Sequence, residues 1–227
     1  VIEDAKVRGL VLNIMGMCGE KRTGLDEFYP GEFVYHGCQS FDDYVYDINN
    51  LADLPGSKYH KKRNHYNRFR ENFAGYTTEP ITEENLPMVM EMVENWYETR
   101  LQENPDSDFH MEKIALSKAL RYLKELDMEG LILLHDEKIL ALTLGSKMAP
   151  DTFDVHFEKA PADVNGAYAA INCEFAKYIR DKYPEIKYLN REEDMGIEGL
   201  RTAKERYYPH HMVEKYWACL LEDEYEY

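Results

Sequence analysis

Hydrophobic positions along this chain change their spacing several times, and each change marks an element. Val7 to Ile14 is a short apolar stretch of strand length, followed by a polar segment punctuated by Gly16, Gly19 and Gly24. Phe33-Val34-Tyr35 and Tyr44-Val45-Tyr46 are two further strand pieces, since aromatic and β-branched side chains suit a pleated surface. After Pro55-Gly56 the period becomes helical. Tyr59, Tyr66, Phe69 and Phe73 recur at spacings that place them on one stripe of a helix over residues 57–73.

Residues 76–81 read as a strand. Thr82 is the expected N-cap of a long helix through Gln102, with Leu86, Val89, Met90, Val93, Tyr97 and Leu101 on one side. Asn104-Pro105-Asp106 breaks it, and Met111 to Leu126 predicts a second helix around Leu116, Ala119, Leu120 and Leu123. From Gly130 the period shifts to that of strands. Leu131–Leu134, a turn at 136–138 and Ile139–Met148 form a hairpin, and Thr152–Lys159 follows as a third strand. A helix over 164–183, a strand over 186–189, a helix over 196–207 and a last strand over 212–221 complete the order. The acidic tail, 222–227, reads as a frayed end.

Composition narrows the classes. The net charge of -16 disfavours nucleic acid or anionic membrane as a partner of the surface as a whole. The exception is local: between Leu54 and Arg70 there are six lysines and arginines and no acid, so the 57–73 helix carries a basic face containing Lys61, Lys62 and Arg63. Such a face binds phosphates or docks on the acidic remainder of the molecule. Four scattered cysteines without a Cys-x-x-Cys pair, and eight histidines without a His-Glu-x-x-His, predict free thiols and no metal. No apolar run reaches membrane-span length and the first ten residues lack a signal core, so a cytoplasmic location is expected.

Candidate chemistry gathers in four places. Alternation along 152–159 puts Asp154, His156 and Glu158 on one face, where either His156 or Glu158 suits a general base, or all three line a solvated edge. The segment 160–167 leads into a helix whose free N–H groups favour an anion, and Gly166 and Ala167 would let a phosphate approach. Tyr168 and Asn172 continue that helix, Asn172 as an amide on an apolar flank. The loop Asn190-Arg191-Glu192-Glu193-Asp194-Met195-Gly196 then joins a strand to a helix bearing Arg201 and Lys204. Loops of this kind hold ligands in α/β proteins, although a charged helix start gives a similar pattern. Arg201 and Lys204 would neutralise a phosphate or carboxylate, or pair with Glu205 and Glu198.

From Tyr76 onward the element order resembles the GNAT acyltransferase fold, an α/β (α+β) class with a mixed central sheet flanked by helices. Residues 58–65, His156-Phe157-Glu158-Lys159-Ala160, Gly166-Ala167-Tyr168, Asn190 to Gly196 and Gly199-Leu200-Arg201 with Lys204 together resemble the phosphatidylglycerol lysyltransferase C-terminal-domain-like family, over about Asp43 to Tyr216. That resemblance implies two tandem GNAT-like portions related to the Fem aminoacyltransferases: a partial one at 1–75, including the basic linker helix, and a second at 76–227. It implies acyl or aminoacyl transfer from an acyl-coenzyme A thioester or an aminoacyl-tRNA to a small-molecule amine or hydroxyl. Glu158 or His156 would take the proton, with the Gly166–Ala167 loop and Lys61, Lys62 and Arg63 near the donor phosphates. Tyr168, Asn172, Asn190, Arg191, Asp194, Arg201 and Lys204 would orient substrate. A tRNA would rest on the basic helix, and a homo-oligomer would complete the cleft. A non-catalytic GNAT-like module binding tRNA, a nucleotide or a protein is the alternative.

Overall fold

The computed structural model describes residues 1–105 and 109–221. In chain order these form α1 (Ile2–Arg8), β1 (Asn13–Cys18), α2 (Gly19–Phe28), β2 (Phe33–Gly37), β3 (Asp43–Asp47), α3 (Ile48–Asp53) and α4 (His60–Asn72). Next come β4 (Thr77–Pro80), α5 (Leu86–Glu103), α6 (His110–Arg121), β5 (Met128–His135), β6 (Lys138–Ala149) and β7 (Thr152–Lys159). The chain continues with α7 (Ala167–Lys182), β8 (Tyr188–Asn190), α8 (Glu198–Glu205), β9 (His211–Val213) and β10 (Lys215–Leu220). The class is mixed α/β with sheets flanked by helices, and the order from β4 onward is GNAT-like.

Contacts divide the chain into two compact units: residues 46–191, and residues 1–45 with those from Glu192 onward. The division differs from the one expected at 75/76. The physical reason is that α3 and α4, which precede that point, pack on α7 and so belong with the larger unit.

In the 46–191 unit the sheet runs β4-β5-β6-β7-β8, antiparallel up to β7 and parallel between β7 and β8. The β5–β6 hairpin turns on Asp136 and Glu137, both at positive φ (48° and 60°), the geometry that matches the strands' right-handed twist. Helices α5 and α6 bury Val89, Val93, Tyr97, Leu116 and Leu120 against Ile132, Leu142 and Leu144. Helix α7 buries Ala170, Ile171, Phe175, Ala176 and Ile179, with Phe175 edge-on to Phe153 of β7 at 5.8 Å. Each valine, leucine, isoleucine or phenylalanine among them fully removed from water contributes about 2 kcal/mol. Parallel pairing of β7 with β8 covers only Thr152–Asp154 against Tyr188–Asn190. Beyond that point β7 continues to Lys159 paired with β6 and no longer with β8.

The other unit has an antiparallel sheet, β1-β10-β2, around Met17, Phe33, Ala218 and Leu220. Strand β9 pairs with residues 43–45 of β3.

Several boundaries differ from the sequence pattern. Residues 2–8 are helical, with Glu3 and Asp4 in the first turn, Lys6 and Arg8 in the last, and Gly9 closing the end at φ 63°. The first strand therefore lies later than Val7–Ile14, and the polar stretch after it is α2. Helix α5 starts at Leu86 rather than Thr82. Asn85 is the residue before it, and its side-chain oxygen accepts from the Thr82 N–H at 2.8 Å. The last strand is two, parted at Glu214. The tail 222–227 and Asp106 lie outside the described residues.

Candidate functional site

Where β8 ends, β7 presents an open flank, the position at which α/β sheets hold ligands. Three features of the sequence shape it. Gly145 has no Cβ, and one added there would stand 2.1 Å from the Asp154 carbonyl oxygen, so β6 approaches β7 closely only at this glycine. The pairing then slips: Leu144 faces Phe157 and Gly145 faces Val155, which leaves His156 as the extra residue of a bulge. Simple alternation along 152–159 is thereby broken. A bulge re-aims its side chain, and His156 Nε2 comes to lie 2.8 Å from Ser146 Oγ on the neighbouring strand. The other ring nitrogen, Nδ1, is 3.7 Å from Oδ2 of the buried Asp154.

Two residues further on, Glu158 Oε1 accepts from Arg191 Nη2 at 3.1 Å, the two side chains only 12% and 14% exposed. Arg191 is held from a second side by Asn172 of α7. With the amide oriented by its network, the Asn172 oxygen accepts from Arg191 Nη1 and Nε at 3.3 Å. Tyr46 offers its ring face at 5.9 Å from the guanidinium carbon. So the buried amide on the apolar flank of α7 has its partner, and Glu158, Asn172 and Arg191 form one cluster. Asn190 is buried next to it, its amide nitrogen 3.7 Å from Met148 Sδ. Lys159 points elsewhere, to Glu112 at 2.6 Å and over Trp96.

The start of α7 departs from expectation in a specific way. Gly166 is at φ 84°, and a Cβ there would lie 2.5 Å from the His65 carbonyl oxygen of α4. Its small size serves helix packing, and α4 fills the space that a phosphate would need at this point. The Ala167 N–H bonds back to Val164 at 3.3 Å, and the Val164 N–H to Pro161 at 3.2 Å. Those two amides are already bonded within the 161–167 turn. Tyr168, on the first turn of α7, is partly exposed. Burial, chiefly, pushes its phenol up; the Ala160 N–H and Arg100 act the other way and Glu158 adds to the rise.

Among the basic residues, Arg63 donates to the Leu54 and Gly56 carbonyls and so closes the end of α3. It is committed to the fold. Lys61, His65 and Arg68 are exposed on α4, while Lys62 is half-buried.

In the other unit, Asp194 is fully buried and accepts from four directions. Arg201 donates through Nε at 2.7 Å and Nη2 at 3.1 Å, the Tyr44 hydroxyl at 2.7 Å and the Gly196 N–H at 2.8 Å. The Arg201 guanidinium, chiefly, holds the carboxyl far below the usual carboxylate range. Burial, then Asp194, pushes the Tyr44 phenol up to about 12. Lys204 reaches the Glu192 and Glu193 carbonyls at 3.0 and 2.5 Å. Asp194 and Lys204, expected to touch substrate, instead fix a loop that carries positive φ at Glu192, Met195 and Gly196. A carboxylate with four donors and no exposed surface has nothing left to offer a ligand.

Two groupings were not foreseen. Ser146 is visible in sequence only as a polar break in the apolar run of β6, and its pairing with Asp154 depends on the strand register. The second is a cavity of about 730 Å³ between α4, the 74–76 turn and α7, lined by Arg70, Glu71 and Asn67. There Glu174 accepts from Tyr66, from Tyr76 at 2.9 Å and from Lys177 at 3.2 Å.

The family model described as phosphatidylglycerol lysyltransferase, C-terminal, matches residues 1–219, a longer span than the 43–216 over which the motifs occur. A conserved protein of unknown function from Bacteroides thetaiotaomicron is 39% identical over 96% of this chain and 73% of its own, with a TM-score of 0.88. L-PGS from Bacillus licheniformis superposes with a TM-score of 0.71 at 17% identity, covering 96% of this chain and 70% of that one. The corresponding values for FemX are 0.67, 10%, 98% and 75%. At such identities the last two show the fold. An uncharacterised protein of Mycoplasmoides gallisepticum is 20% identical over 81% of this chain, which spans 58% of that relative's length. No described helix is long and apolar enough to cross a membrane.

Proposed function

Because the chain belongs to the phosphatidylglycerol lysyltransferase C-terminal family, we propose that it transfers an aminoacyl group from a tRNA ester to a small amine or hydroxyl. The observation that carries this reading is the cluster on the free end of β7: Glu158 paired with Arg191 and Asn172 beneath it, with His156 turned out by a bulge one step away. A charged pair in a nearly dry setting orients a polar substrate strongly. The acceptor amine attacks the ester carbonyl, His156 takes its proton, and the 3′-oxygen of the tRNA leaves. Glu158, with Arg191 held in place, orients the acceptor.

An aminoacyl-tRNA fits better than a coenzyme A thioester as donor, for two reasons. The amides of residues 164 and 167 are already bonded to the Pro161 and Val164 carbonyls and offer little to a pyrophosphate. The exposed Lys61, His65 and Arg68 lie on the helix that packs against Gly166, where a polyanion would rest beside the start of α7.

A thermal-shift comparison with acetyl-coenzyme A, coenzyme A and aminoacyl-tRNA at two salt concentrations tests the donor. Stabilisation by the aminoacyl-tRNA is expected. Stabilisation by the thioester alone would reverse the donor assignment. Binding of tRNA without transfer to any amine, in a chain whose Glu158→Gln variant binds equally well, would favour a non-catalytic module.

A further inference from the structure

We propose that the cavity between α4, the 74–76 turn and α7 binds a free α-amino acid, held by its ammonium and its carboxylate at once. Such a site stands or falls independently of the transferase activity, because it lies apart from the Glu158–Arg191 cluster. Successive helix residues turn by about 100°, so Glu174 projects about 200° around α7 from Asn172, which serves that cluster.

The cavity, of about 730 Å³, has the volume of a small-molecule pocket, and charged groups of both signs line it. Its inner carboxylate is Glu174, whose side chain is 15% exposed. The hydroxyls of Tyr66 and Tyr76 and the Lys177 ammonium all donate to the same oxygen, Oε1. Lys177 also donates to the Tyr66 hydroxyl at 2.9 Å. Burial, chiefly, pushes both phenols far above their usual range, so they stay protonated donors near neutrality. Oε2 receives none of these bonds and keeps its lone pairs for a further donor. With one oxygen fixed by three donors, the other is a positioned acceptor for a cation.

Arg70 supplies the opposite charge. It is exposed, and its guanidinium carbon stands 5.7 Å from the centroid of the Tyr66 ring, whose hydroxyl is bonded to Glu174. Among the described residues no carboxylate pairs with it, so its fork of donors is open to a ligand carboxylate. A positive and a negative group thus flank one aromatic ring, which suits a molecule carrying both charges a few bonds apart.

Other ligand classes fit less well. A phosphate or a nucleic acid would meet Glu71 and Glu174 in the same cavity. A simple amine would meet Arg70 and Lys177 with no charge to offer them. The aminoacyl group of a tRNA ester has no free carboxylate for Arg70, which distinguishes this cavity from a donor pocket. A free amino acid satisfies both ends.

Saturation-transfer NMR of the full chain with each of the standard amino acids, followed by titration of any that bind, tests the proposal. Binding of at least one at millimolar concentration is expected. Its desamino acid and its decarboxylated amine should each bind about tenfold more weakly, the worth of one hydrogen bond to a charged group. Arg70→Gln and Glu174→Gln should weaken the amino acid by a similar factor. Arg70 takes no part in the hydrogen bonds around Glu174, so Arg70→Gln should keep the parent melting temperature and decides the matter even if Glu174→Gln unfolds. No binding by any amino acid, equal binding of an analogue lacking one charge, or binding that survives Arg70→Gln overturns the proposal. Displacement of the amino acid by inorganic phosphate would mark an anion site and overturn it as well.

Discussion

At the scale of single residues, two paired carboxylates lead different lives. Glu158 keeps one oxygen beyond its bond to Arg191 and lies on the open flank of β7. Glu158→Gln is expected to lower transfer about 100-fold, since oriented charge is lost at the reacting centre. Single-turnover kinetics beside a binding assay checks this: binding should hold, because Arg191 keeps Asn172. Asp194, by contrast, is closed off by four donors. Asp194→Asn takes the charge from the buried partner of the one-third-exposed Arg201 and should lower stability in denaturant unfolding. Its pH dependence follows from the depressed carboxyl. The folded value lies below the unfolded one, near 3.9. The stabilisation is therefore complete above about pH 4 and is lost as pH falls through the folded value. The gap between parent and Asp194→Asn unfolding free energies should be constant near neutrality and close only in strong acid.

At the scale of elements, glycines decide how closely strands and helices meet. Gly166 joins the start of α7 to α4 at a positive φ, with the His65 carbonyl where a Cβ would be. Gly166→Ala should destabilise by about 2 kcal/mol, through strain and overpacking together. Urea unfolding measures it, and an unchanged midpoint would mean that α4 sits elsewhere. Gly145 plays the matching part between β6 and β7, where the clash would be with backbone and the bulge carrying His156 would have to move. Periodicity read most elements of the larger unit closely, β7 to the residue, because its strands and helices are long and strongly patterned. It failed at α1, where charge placement and a left-handed glycine cap outweigh apolar spacing, and at α2, which buries no side chain and so carries no apolar stripe to read.

At the scale of the whole molecule, a chain of net charge -16 carries a stretch from Leu54 to Arg70 with six lysines and arginines and no acid. Any affinity for tRNA must come from that patch against the repulsion of the rest. Lys61→Glu combined with Arg68→Glu should weaken tRNA binding at least tenfold and flatten its salt dependence, because fewer counterions are released. Filter binding across a salt series checks both. Arg63 is a poor choice for the same test, since it closes α3 and its loss would disturb folding.

What the sequence by itself determined is the family and the GNAT-like order of elements, with Glu158 and His156 as candidate bases and Asn172 and Arg191 among several candidate orienting residues. These follow from local chemistry and spacing, which a chain carries without its fold. Only the tertiary structure decided what each charged residue is bonded to. Asp194 and Lys204 read like Arg191 in sequence, yet they hold a loop while Arg191 faces Glu158, because burial and partner geometry arise from contacts between distant segments. Ser146 became visible for the same reason. Its nearness to His156 is set by a one-residue slip in strand pairing, and a slip leaves no trace in the pattern of apolar positions.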